Sequence, residues 1–209
     1  MHFLGTSFSV FPLIRGVPAV RMARLTQDKQ HKMAQALIGA RWKSDQRTGK
    51  NTPQVSFMGY LDLTWKEGYQ NLVRFTFSGY QSDACLQALV AHCKSVMAQG
   101  RIDGESYSPV QWLCTFTAGE GRSVGQGERS TTIIPIKYAL PAEMTQAPDA
   151  LIRQAADEWE SVGVWAEEYS GMGMAPPPAP ARPAVAAEGS DWPGQETPTA
   201  DLFDMEGLR

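Results

Sequence analysis

A change of hydrophobic period near residue 55 constrains this chain most. In "VSFMGYLDLTWK", Val55, Phe57, Leu61, Leu63 and Trp65 fall on one side of an extended backbone. Ser56, Met58, Tyr60, Asp62, Thr64 and Lys66 fall on the other. Successive strand side chains point to opposite faces, so this alternation predicts a long strand with one face in a core. After a short turn, "EGYQN", the run "LVRFTFSG" repeats the pattern, with Val73, Phe75 and Phe77 inward and Arg74 and Thr76 outward. Two such runs joined by a turn form a hairpin. Whatever else the chain does, it must lay an apolar layer against that hairpin.

A helix is the natural cover. Ser82 is placed to cap "DACLQALVAHCKSVMAQG", in which Leu86, Leu89, Val90, Cys93 and Val96 follow the i, i+3, i+4 pattern and Gly100 marks the end. Upstream, Thr26 is placed to cap a helix through "QDKQHKMAQALIGARW", with Met33, Leu37 and Ile38 at helical spacing. The polar, basic loop "KSDQRTGKNTP" follows. Downstream, "VQWLCTFTAG" predicts a third strand and "STTIIPIKYAL" a fourth, which Pro135 assigns to a sheet edge. A glycine-rich hairpin loop, "GEGRSVGQGERS", joins them and carries Arg122 and Arg129. A last helix is predicted over 148–169, with Leu151, Ile152, Ala155, Trp159 and Val162 on its apolar side and Asp157, Glu158, Glu160, Glu167 and Glu168 in solvent. Residues 171–199 are rich in Pro, Ala, Gly and Glu, bury too little to offset their ordering entropy, and are predicted to be a disordered linker.

The expected class is α+β: a small OB-like β-barrel or a curved antiparallel sheet with packed helices, followed by a disordered acidic C-terminal tail. Residues 1–25 read as an N-terminal extension, 26–170 as the folded domain and 200–209 as an acidic and apolar interaction peptide. The start, "MHFLGTSFSVFPLIRGVPAV", lacks a basic leader region and is interrupted by Pro12 and Arg15, so it does not read as a secretory signal; a start at Met22 is the alternative. No run of 18 apolar residues exists, so no membrane span is expected. Three cysteines without CxxC spacing (Cys85, Cys93 and Cys114) argue against a disulfide framework or a zinc site and for reduced thiols in a cytoplasmic protein.

Charge is unevenly placed along the 209 residues. Residues 1–150 hold 16 Lys/Arg against 11 Asp/Glu, a balance of +5, and residues 151–209 hold 3 against 11, a balance of −8, which together give the net −3. A basic body with an acidic tail is a signature of nucleic-acid proteins. No constellation of catalytic residues stands beside it: the glycine-rich loop lacks the Gly-Lys-Ser/Thr of a phosphate cradle, and the three histidines, His2, His31 and His92, have no nucleophile at a recognisable spacing. The chain therefore reads as a non-enzyme without cofactor or metal.

Single-strand-binding surfaces combine cations along a groove with aromatic rings on which bases stack, each stack contributing about 1–3 kcal/mol. Candidates are Arg41, Trp42 and Lys43 in "ARWKSDQR"; Tyr60 and Arg74 on the outward faces of the hairpin strands; Trp65 and Lys66; Trp112; and Arg122 and Arg129 in the glycine loop. For Trp65 and Trp112 a place in the core is the competing reading, and for Tyr60 it is packing under the last helix.

This order of elements resembles OB-fold single-stranded-DNA-binding proteins. The stretches "FMGYLDLTW", "VRFTFSG" and "GEGRSVGQGERSTTIIPIKY" are also similar to proteins of integrative and conjugative elements that act in element replication. The resemblance covers roughly residues 54–140. It implies a sequence-independent binder of single-stranded DNA or RNA, acting in replication or recombination of a phage or mobile element, as a monomer or a homo-oligomer. Bacterial single-strand binders recruit partners through an acidic tip ending in an apolar pair; here the chain ends Gly207-Leu208-Arg209. "TADLF", residues 199–203, resembles instead the pentapeptide that docks replication and repair proteins on the sliding clamp, whose last three positions Asp201, Leu202 and Phe203 match, with Met205 just beyond. The alternative is a protein-interaction adaptor or inhibitor of a mobile element, in which the tail is the active part and the body binds no nucleic acid.

Overall fold

The structure is a computed structural model that describes residues 7–18, 22–44, 47, 50–61, 72–124 and 130–172. In chain order these form β1 (Ser7–Pro12), α1 (Gln27–Gln35), β2 (Ile38–Ser44), β3 (Asn51–Leu61), β4 (Leu72–Ser78), α2 (Tyr80–Asp103), β5 (Cys114–Ala118), β6 (Arg122–Val124), β7 (Thr131–Ile133), β8 (Ile136–Tyr138) and α3 (Asp149–Gly171). Residues 1–176 make one compact unit; a second, 177–209, lies outside the described residues, as does the expected linker beyond Met172.

The protein is α+β, with an antiparallel six-stranded sheet organised by β3. On one edge β3 pairs with β4. On the other it pairs first with β2 over Asn51–Phe57 and then with β1 over Gly59–Leu61. From β1 the sheet continues to β5 and β8. Its outer strands do not pair with each other, so among the described residues the sheet is open and the closed barrel is not formed. β6 and β7 form a separate two-stranded ribbon.

Helices cover both faces. Against α2 lie Val10, Ile38, Ala40, Val55, Phe57, Phe75, Cys114 and Phe116, with Leu86, Leu89 and Cys93 from the helix. Phe8, Phe57, Phe75 and Phe116 form a cluster of rings from four strands, neighbouring centroids 4.9–5.9 Å apart. On the opposite face, Phe11, Leu37 and Tyr60 meet Leu151, Ala155 and Val162 of α3. Burial of the α2 face and the inward Val73, Phe75 and Phe77 agree with the alternation of the sequence.

Several boundaries differ from the sequence reading. The first helix stops at Gln35, because Leu37 takes a left-handed φ of 64° and Ile38 starts a strand. Arg41, Trp42 and Lys43 therefore lie on β2, not on a helix and loop. Ser82 is not the cap of α2; Gly79 is, and the Ser82 hydroxyl donates to the Gly79 carbonyl at 2.6 Å. Gly100 lies inside that helix, where the Glu105 carbonyl would approach an added Cβ to 2.6 Å, and the left-handed Gly104 ends it. Pro135 divides the expected fourth strand into β7 and β8, and β8 is a sheet edge as Pro135 suggested. The largest revision concerns residues 1–25. Those described, 7–18 and 22–25, are no appendage, since β1 lies between β3 and β5, and Val10, Leu13, Ile14 and Met22 are fully buried.

Candidate nucleic-acid interface

Register decides which side chains share the face of β2, β3 and β4 opposite α2. Pairing Arg41 with Gln54, Lys43 with Thr52, Met58 with Arg74, Ser56 with Thr76 and Gln54 with Ser78 places these residues on it. α3 packs on β2 and α1 at one side. Beyond it, Lys43, Arg74, Thr76 and Ser78 are exposed.

This face is a connected polar surface. Arg41 Nε donates to Gln54 Oε1 at 3.2 Å, Gln54 Nε2 donates to Ser78 Oγ at 3.0 Å, and the Tyr169 hydroxyl donates to Gln54 Oε1 at 3.3 Å. The hydroxyls of Ser56 and Thr76 are 2.8 Å apart. The Arg41 guanidinium lies 4.1 Å over the Tyr169 ring, an arrangement that holds a cation flat at the surface without neutralising it. Tyr169 comes from α3, and it fits because position 39 is glycine: a Cβ there would stand 2.5 Å from Tyr169 Cδ1. The chain from Arg41 to Lys50 adds Arg47 and Lys50 against a single acid, Asp45. Hydroxyls, amides and cations of this kind are the groups that contact phosphate and sugar.

The other sequence candidates are dispersed. Trp42 points to the α2 side of β2 by alternation, so its two flanking cations face away from it; its indole Nε1 is buried without a partner among the described residues. Tyr60 is fully buried, not outward in solvent, because α3 covers that end of the sheet; its hydroxyl donates to Glu158 Oε2 at 2.7 Å, and burial and then Glu158 raise its pKa. Trp112 is 7% exposed and meets Tyr107 edge-on, with centroids 5.1 Å apart. Neither ring is open to a base in this conformation, which corrects the expectation that both serve as stacking platforms. Arg122 is exposed on β6, where it lines a cleft of about 620 Å3 with Ala84, Ala88 and Tyr138, apart from the β2–β4 face. Trp65, Lys66 and Arg129 and the tail residues Asp201, Leu202, Phe203 and Met205 lie outside the described residues. Sequence reasoning missed Gln54, Ser78 and Tyr169. The polar side of β4 was legible by its period, but the arrival of Tyr169 from 115 residues beyond Gln54 was not.

His92 and the three cysteines are buried. His92 holds its Nε2 in a 3.1 Å bond with the Pro109 carbonyl, and burial pushes its pKa down to about 4. Burial pushes the Cys93 thiol up to about 12 and holds Cys85 and Cys114 well above the ordinary range, so none offers a thiolate at neutral pH. No cluster of three or more His, Cys, Asp or Glu able to hold a metal occurs among the described residues. No described helix is long and apolar enough to cross a membrane. Neither a protein-family model, nor a curated protein sequence, nor a solved structure matches this chain.

Proposed function

We propose that this protein binds single-stranded nucleic acid without sequence preference, with the β2–β4 face as its surface, in replication or recombination of a phage or mobile element. The observation that carries the reading is the polar sheet face bearing Arg41, Lys43 and Arg74, on which Arg41 is stacked and none of the three is tied to a carboxylate by a described hydrogen bond. Phosphates meet the cations, while sugars and base edges meet Gln54, Thr76 and Ser78. Tyr169 supports Arg41 and does not itself stack a base. The OB-like reading belongs to this proposal as well: a long strand that changes partner along one edge is a first step toward rolling a sheet, although this sheet is open. The C-terminal peptide Asp201-Leu202-Phe203, with Met205, is proposed to recruit replication proteins such as the sliding clamp.

Fluorescence anisotropy with labelled single- and double-stranded oligonucleotides across a salt series tests the reading. Expected is preferential single-strand binding that weakens steeply with salt, because phosphate contacts release counterions. Absence of binding to any oligonucleotide, or affinity independent of salt, refutes it. Deleting residues 200–209 is expected to abolish clamp capture and leave strand binding intact.

A further inference from the structure

We propose that β4 is a homodimerisation edge, through which two copies of this chain join their sheets about a two-fold axis. The argument starts from the backbone. Gly79 N–H donates to the Pro53 carbonyl at 2.8 Å, and Leu13 N–H donates to the Met58 carbonyl at 2.8 Å. With the register, these bonds fix the direction of every peptide group: Val73, Phe75 and Phe77 bond inward to β3. Leu72, Arg74, Thr76 and Ser78 turn their N–H and C=O groups to the outer edge.

Each of the other two outer edges has a backbone N–H bonded by a side chain. On β2, Ala40 N–H donates to Ser170 Oγ of α3 at 3.0 Å. On β8, three residues long and preceded by Pro135, Ile136 N–H donates to Gln81 Oε1 at 3.0 Å. β4 is seven residues long, has no proline, and among the described residues no group bonds its outer edge. An unprotected edge of that length is a template for another strand.

The sequence of β4 fits a second copy of the same chain as that strand. Outward-facing residues must pair with outward-facing residues, so only alternate registers are open. Centring the two-fold on Phe75 pairs all seven residues from Leu72 to Ser78. Arg74 then lies opposite Thr76 of the second copy, Val73 opposite its Phe77, and Leu72 opposite its Ser78, with the Arg74–Thr76 and Leu72–Ser78 pairs exchanging backbone hydrogen bonds. Centring on Arg74 would set two arginines against each other, which is unfavourable; centring on Thr76 shortens the overlap. The Phe75-centred register is isologous, as a two-fold contact requires. It places both α2 helices on one side and both β2–β4 faces on the other, in a continuous surface about 24 Å wide across six strands.

This proposal is independent of strand binding and is tested without nucleic acid. Sedimentation velocity of the full chain over a concentration series is expected to show a monomer–dimer equilibrium. Thr76→Lys sets Lys against Arg74 at both symmetric positions and is expected to weaken the dimer about tenfold. Thr76→Glu sets opposite charges there and is expected to tighten it about tenfold. Thr76 is exposed, and circular dichroism checks that both variants keep the fold. Because either change removes the same hydroxyl bond to Ser56, opposite signs cannot arise from that loss. A chain that stays monomeric at every concentration, or a dimer that both variants shift alike or not at all, overturns the proposal.

Discussion

Gly39 holds the architecture at single-atom tolerance. At Gly39, any side chain collides with the Tyr169 ring that supports Arg41. Overpacking of this kind typically costs about 1–3 kcal/mol. Gly39→Ala is therefore expected to lower the thermal midpoint, and in a Tyr169→Ala background the same change should cost far less, since neighbours that share a contact are not additive. A double-mutant cycle by thermal unfolding measures the difference; equal costs in both backgrounds would assign the loss elsewhere. His92 sets a pH dependence. Its pKa falls from the ordinary 6.5 to about 4 on folding, so between these values the unfolded chain binds more protons than the folded one. Its contribution is complete above about pH 6.5 and is lost as pH falls toward 4, a difference of roughly 3 kcal/mol at most. Urea titrations at pH 7 and 4.5 are expected to show a larger loss for the native chain than for His92→Gln.

At the scale of elements, the hairpin β3–β4 and the helix α2 were legible because period alone decides them. Val55 and Phe57 alternate with Ser56 and Met58, and Leu86, Leu89 and Cys93 repeat at helical spacing. The α1–β2 boundary was not legible. Leu37 and Ile38 continue the helical pattern of Met33, and only the left-handed backbone at Leu37, a conformation seldom taken by a branched residue, ends the helix. One candidate was misplaced with it: read as a helix and loop, Arg41, Trp42 and Lys43 form one cluster, whereas a strand sends Trp42 to the opposite face and leaves the two cations together. Tyr60 took its competing reading, packed under the last helix. The alternation placed it on the correct face, but a second helix layer covers that face at one end, and period carries no information about what covers a face. The surviving cations make a quantitative prediction. Each phosphate contact contributes about 0.7 to the slope of log affinity against log salt for single strands. Arg74→Ala is expected to weaken strand binding at low salt and to make that slope shallower by about that amount. Arg101→Ala, exposed on α2 behind the sheet, is the matched control and should leave the slope unchanged.

On the scale of the whole molecule, β1 is the joint. It pairs with β3 through Val10, Phe11 and Pro12 and with β5 from Ser7 to Val10, so it alone connects β2, β3 and β4 to β5 and β8. It and the two residues that follow it feed both cores, Val10 and Ile14 toward α2, Phe11 and Leu13 toward α3. Gly59 shows how close the joint is: a Cβ there would lie 2.6 Å from Val10 Cγ2 and 2.8 Å from the Phe11 carbonyl. A chain beginning at Met22 keeps the hairpin and all three helices yet loses the strand that holds them to one sheet, leaving the edges of β5 and of Gly59–Leu61 unpaired. Burying each of the lost side chains of Val10, Phe11, Leu13 and Ile14 contributes about 1.5–3 kcal/mol, and the four together exceed a third of the stability of an ordinary domain. The truncated chain is expected to lose its near-ultraviolet circular dichroism and its single cooperative thermal transition, while retaining helical signal in the far ultraviolet. An unfolding midpoint equal to that of the full chain would restore residues 1–21 to the status of an extension.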